Sequence, residues 1–157
     1  MISTYLKAIQ LGVLAGMRAA MAPAFVSHYV SHQPASGTDS QLLHLFRSST
    51  TANVTKVMAL GEIVGDKMPN TPDRIEPAGI VGRIISGATC GAVLSEAEKE
   101  EVKLGAVMGG VGAVAGSYAF FYLRKWVHEE KGIEDVWLGF AEDLLAIALG
   151  TQTIHQD

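Results

Sequence analysis

Cysteine occurs once, as Cys90, in a chain of 157 residues. That excludes an intrachain disulfide and any cysteine-based zinc site, and its Gly/Ala surroundings make it a small packing residue. Basic clusters are equally scarce. No run of Lys or Arg exceeds a pair and the formal net charge is −4, so the chain offers no cationic field for nucleic acid. The chain also lacks a His-Glu-x-x-His pair, a nucleophile elbow and a phosphate-binding lysine loop. Its five histidines, His28, His32, His44, His128 and His155, fall in loops or near predicted helix ends and read as surface residues. Charge is thin at 18%, while 48% of the residues are hydrophobic, which excludes disorder and suffices for a core.

What the chain has in quantity is glycine, 17 residues of it, and a mean hydropathy of +0.25. Both suit a small helical membrane protein, in which glycine is frequent. Leu104 to Leu123 carries no formal charge and is bounded by Lys103 and by Arg124-Lys125. As a helix it reaches about 30 Å, the thickness of a hydrocarbon core. Further candidate spans are 5–31, 41–66, 78–94 and 136–150. A turn-rich loop at 32–40 with Pro34, Gly37 and Asp39, a charged link at 95–103 and a polar connection at 124–135 separate them. Arg18 stands where a signal peptide would be cleaved, so the first segment reads as a retained helix. The expected fold is all-α: a polytopic transmembrane helix bundle of about four to five spans, one integral membrane domain over 1–157.

Two places interrupt this pattern. Pro23 falls inside the first span, where a proline removes a backbone donor and clashes with the preceding turn, so that span is expected to be kinked or broken near its middle. Pro69-Asn70-Thr71-Pro72-Asp73 forms a stiff turn after the second span, so the 68–74 region is a second expected break and a candidate hinge, with Pro69, Thr71 and Pro72 as its turn residues. Residues 41–50, with Arg47 and the Ser48-Ser49-Thr50-Thr51 run, read either as an interfacial segment or as part of a span. Small residues recur at close spacing in the third and fourth spans: Gly79, Gly82, Ser86, Gly87 and Gly91, then Gly105, Gly109, Gly112 and Gly116. Such faces let helix backbones approach, so these two helices are expected to pack together and glycine faces to support a homo-oligomer.

Charges embedded in apolar segments are the functional signal. They are Arg18, Glu62, Asp66, Lys67, Arg83, Glu142 and Asp143, with Arg74 at the turn. Ionisable groups near hydrocarbon are expensive and therefore face a protein interior, a cavity or one another. Glu62 and Asp66 share a helix face, whereas Glu142 and Asp143 diverge around theirs. Three readings follow. Arginines and acids could neutralise one another and only fix helix register; they could line a pathway for a small ion or an anionic solute; or the carboxylates could gather a divalent cation for membrane-embedded catalysis. The residues name no cofactor and no metal.

The motifs also resemble a family. Gly12-xxx-Gly16-Met17-Arg18 followed by Pro23, Gly61-Glu62, Asp66-Lys67-x-Pro69-x-Thr71-Pro72-x-Arg74, Gly82-Arg83-xx-Ser86-Gly87-Ala88, Gly112-Ala113-xx-Gly116 and Ala141-Glu142-Asp143-xx-Ala146 occur in order along most of the chain. This set is similar to the DUF4126 family of small bacterial membrane proteins. The resemblance implies an integral membrane protein whose motif residues form one site, and it brings no activity with it. Expected partners are the lipid bilayer, further copies of the chain, and a small ion or anionic solute; nucleic acid is not among them. The expected location is the cell inner membrane, multi-pass. The distribution of Lys7, Lys67, Arg74, Arg124, Lys125 and Lys131 in a five-span arrangement suggests the N-terminus inside and the C-terminus outside.

Overall fold

Helices are the regular elements of the chain, as a computed structural model shows for residues 2–65, 76–131 and 135–155. There are seven among these residues, with no strand: α1 (Ile2–Met17), α2 (Met21–Ser31), α3 (Gln41–Arg47), α4 (Ser49–Gly65), α5 (Pro77–Ala97), α6 (Val102–Lys131) and α7 (Asp135–His155). Two of them, α5 and the Val102–Glu130 stretch of α6, are long and apolar enough to cross a membrane.

Glycine sets the centre of the bundle. α1 lies against α5 and α6 so closely that a side-chain carbon on Gly12 would strike the backbone of Gly109, and one on Gly16 would sit 2.6 Å from the carbonyl oxygen of Ala113. Gly87 and Gly91 of α5 meet Gly109 and Gly105 of α6 in the same way. The expected pairing of the two glycine-faced helices is therefore present, and α1 is the third member of the seam. Around it Leu11, Leu14, Ala15, Met17, Cys90, Val93 and Ala113 form the buried core.

The helix directions follow from the same contacts. Thr4 near the start of α1 reaches Glu98 just beyond α5, while Gly16 near its end lies by Arg83, so α1 and α5 are antiparallel. α2 begins beside Ser86 and ends with Tyr29 at Glu98, so it runs back alongside α1. The break expected in the first segment, 5–31, is thus present, and it makes a tight helical hairpin with residues 18–20 at its tip. The proline explains part of this. Pro23 stands in the first turn of α2, where no intrahelical donor is needed, and the carbonyl of Ala19 that a continuous helix would have offered it takes the Ser86 hydroxyl instead at 2.6 Å.

The second expected segment divides at Ser48, whose extended backbone ends α3 and whose hydroxyl accepts from Thr50 N at the start of α4. α3 is held by Ser40 as its N-cap and by Leu43 and Phe46, both buried. α4 returns along α2 to bring Glu62 to the hairpin tip. α6 continues to Lys131, through part of the expected polar connection 124–135, with Lys125 and Glu129 one turn apart at 4.0 Å. α7 packs on α1 and α2 and ends with Thr153 beside Gln10. It therefore runs toward the end at which α1 begins. With Asp143 at Arg18 and Thr153 at Gln10, α7 is antiparallel to α1.

Candidate functional site

The hairpin tip gathers the embedded charges. Breaking a helix leaves carbonyls at one end and N–H groups at the other without partners, and both sets must be satisfied when buried. Here side chains from other helices do so. Arg83 of α5, 9% exposed, donates through Nη1 to the carbonyls of Gly16 at 2.6 Å and Met17 at 3.2 Å, closing the end of α1. Glu62 of α4 accepts from Ala19 N at 2.8 Å through Oε1 and from Ala20 N at 2.7 Å through Oε2, closing the start of α2. Each charge also matches the sign of the helix end it faces, negative at the N-terminus of α2 and positive at the C-terminus of α1.

Arg18 is the residue at the break itself and, among the described residues, the largest fully buried side chain, at 1% exposure. Its Nη2 lies 2.7 Å from Oδ1 of Asp143 on α7. Glu142 is buried next to Asp143. Arg18, Glu62, Arg83 and Asp143, drawn from four different segments, are therefore all anchored at or beside one three-residue turn. Asp66, Lys67, Arg74, Pro69, Thr71 and Pro72 lie outside the described residues, as does the expected 68–74 cap over the site. Among the described residues no group of three or more His, Cys, Asp or Glu side chains is arranged to hold a metal ion.

Beside the tip opens a cleft of about 520 Å³, lined by Ala19, Ala20 and Pro23 of the hairpin, Thr55, Met58 and Glu62 of α4, and Gly82, Ile85, Ser86 and Thr89 of α5. Met58 and Ile85 are also exposed on the outer surface, so the cleft lies along the outward side of the bundle, between α4 and α5. Its walls are largely apolar, and Glu62 is the one carboxylate among its described lining residues.

A second polar cluster holds the opposite end of the hairpin. Glu98 accepts from Thr4 Oγ1 at 2.6 Å and Tyr29 Oη at 3.2 Å, and lies 3.3 Å from Lys7 Nζ. Nearby, Ser40 donates its N–H and hydroxyl to Glu96, and Arg47 reaches the carbonyls of Val30 and Gln33 while pairing with Asp39 at 2.9 Å. Sequence reasoning passed over Glu98 because the 95–103 link has the composition of a solvated turn. Its partners are 69 to 94 residues away in the chain, so no local pattern marks it. The spacing of Ser86 among glycines likewise points only to helix packing, yet its hydroxyl occupies the Ala19 carbonyl.

These features define a class: an all-helical bundle whose central hairpin breaks inside the core, with an ion pair and two opposite charges at the break. The chain belongs to the family described as a domain of unknown function, DUF4126, whose model matches residues 6–156. No curated protein and no solved structure matches it.

Proposed function

We propose that this chain is a multi-pass membrane protein in which four spans, α4 to α7, enclose the α1–α2 hairpin as a re-entrant element, and that the hairpin tip handles a small ion. The carrying observation is the broken backbone at 18–20 with Glu62, Arg83 and the Arg18–Asp143 pair around it. Non-helical backbone at membrane depth is tolerated where protein buries it or water reaches it, and paired broken ends are a recurring device of transport proteins.

Length and surface support the membrane part of this reading. α2, with 11 residues, extends about 16 Å, well short of a hydrocarbon core of about 30 Å, so the α1–α2 pair returns to the side it started from. α7, with 21 residues, reaches about 31 Å, and α4, with 17, is counted as a span on its outward apolar face and not on its length. Large apolar side chains face outward on every proposed span: Val57 and Leu60 on α4, Val81 and Ile85 on α5, Val107 and Val111 on α6, Leu144 and Leu145 on α7. A soluble protein of this size rarely shows such a continuous apolar surface. Tyr122, Trp126 and Trp137 are exposed toward the end opposite Glu98, where an aromatic belt would meet the lipid headgroups. An all-helical span set suits a bacterial inner membrane, since outer-membrane proteins are β-barrels.

The described site residues favour a cation over an anionic solute. Glu62, Glu142 and Asp143 stand against Arg18 and Arg83, and the carboxylate at the cleft is Glu62. A register-fixing role alone is favoured by a different observation, that Glu62 and Arg83 both bond to backbone and so have a structural task. Assembly into a homo-oligomer stays within the proposal. The seam glycines are engaged inside the chain, so the helical glycines left open for it among the described residues are Gly61 and Gly65 on α4, Gly82 on α5 and Gly139 on α7.

The test is ion flux into liposomes carrying the purified protein, read with proton- and potassium-sensitive dyes. The ion-handling reading expects flux that Glu62→Gln abolishes while the variant keeps the wild-type helix content and elution. If flux is absent, or equal in the two proteins, the charges serve register alone.

A further inference from the structure

Glu62 differs from Asp143 and Glu98, the acids that hold the two ends of the hairpin with it, in one respect. Asp143 has Arg18 at 2.7 Å and Glu98 has Lys7 at 3.3 Å. Among the described residues no Lys, Arg or His stands within ion-pair distance of Glu62, whose oxygens meet only the N–H groups of Ala19 and Ala20. Each carboxylate oxygen has a second lone pair, so the group can still accept from an incoming partner. A carboxylate beside apolar walls is a strong attractor for positive charge, because little water competes there.

The shape of the cleft selects among cations. A bare metal ion needs several converging oxygens. Glu62 is the one carboxylate among the described lining residues, and among the described residues no three His, Cys, Asp or Glu side chains converge on a metal-sized site. The volume of about 520 Å³ and walls of Pro23, Met58 and Ile85 match a drug-sized apolar body. We propose that the cleft between α4 and α5 binds a lipophilic organic cation, with its apolar groups against Met58, Ile85 and Pro23 and its positive centre facing Glu62. Met58 and Ile85 are exposed on the outward side, so the ligand enters from the lipid and not from the aqueous ends. The inference rests on the membrane reading given above and names the kind of cation for that site.

Equilibrium dialysis of radiolabelled tetraphenylphosphonium against the full-length protein in detergent tests it, with neutral triphenylphosphine oxide as the comparison. Saturable binding of one cation per chain is expected, weakened at least tenfold by Glu62→Gln and by Ile85→Trp, which fills the cleft without touching the core. Ile85 is 60% exposed, so the second variant keeps the test valid if the first misfolds. Binding that is absent, or equally tight for the neutral compound, or unchanged in folded Glu62→Gln and Ile85→Trp, overturns the proposal. So does full displacement by sodium alone, which would mark an inorganic cation site. The two readings fail separately: Glu62-dependent ion flux without tetraphenylphosphonium binding leaves the ion-handling role and removes the organic cation. Binding without flux does the reverse.

Discussion

Glu62 and Glu98 hold opposite ends of the same hairpin, and they do it differently. Glu98 gathers side chains from both arms, Thr4 and Lys7 from α1 and Tyr29 from α2, and includes a cation. Glu62 gathers only backbone N–H groups at the turn and faces a cleft. The first arrangement is closed electrostatically, and the second leaves a negative charge without a cation among the described residues. That contrast separates a clamp from a site: one end of the hairpin is finished by the fold, and the other has capacity for a ligand.

The largest effect is expected beside the tip. Arg18→Ala takes the guanidinium away from Asp143, whose side chain is 8% exposed. Breaking a buried pair from one side costs about 3–5 kcal/mol. Unfolding in mixed micelles should show that loss, and the double variant Arg18→Leu with Asp143→Leu should recover much of it, since the pair can be replaced by apolar volume. A double variant as weak as the single one would mean that Arg18 does more at the break than balance Asp143.

Next come the two glutamates compared directly. Glu62→Ala removes two hydrogen bonds from part-buried N–H groups to a charged acceptor and should cost about 3 kcal/mol, taking the lower end of the range of about 1.5–3 kcal/mol for each such bond. Glu98→Gln keeps acceptors for Thr4, Tyr29 and Lys7 and loses only the charge on the acceptor, so about 1–2 kcal/mol is expected, the difference between a charged and a neutral hydrogen bond. The same micelle unfolding series measures both. Equal losses would remove the distinction between the ends.

The smallest effect concerns the turn that places Glu98. Lys99 has φ of 60°, the left-handed conformation that favours glycine, in a turn where Glu100 N reaches Ser95 O and Lys99 N reaches Glu96 O. Lys99→Gly should therefore stabilise by up to about 1 kcal/mol. A destabilised variant would show that the lysine side chain has a contact of its own.

Sequence reading reached the seam because Gly87, Gly91, Gly105 and Gly109 fall at helical spacing, and a small residue on a helix face has few other uses. It reached Arg18 and Asp143 because burying charge is rare enough to be conspicuous. It placed the break near Pro23 but not its direction. Arg18-Ala19-Ala20 contains no turn former, and its alanines favour helix, so the reversal depends on Glu62, Arg83 and Ser86 arriving from 42 to 67 residues away to satisfy the exposed backbone. Long-range satisfaction of this kind leaves no local signature. The 95–103 link concealed Glu98 for the same reason.

The central claim is that α1 and α2 form a hairpin that enters and leaves on one side. Labelling with a membrane-impermeant maleimide tests it most directly, using single cysteines in a Cys90→Ala background at Ser3, at Gly37 in the α2–α3 loop and at Glu129 near the end of α6. Ser3→Cys and Gly37→Cys should label from the same face of sealed vesicles and Glu129→Cys from the other. Labelling of Ser3→Cys and Gly37→Cys from opposite faces would contradict the account, because residues 2–31 would then cross the membrane once.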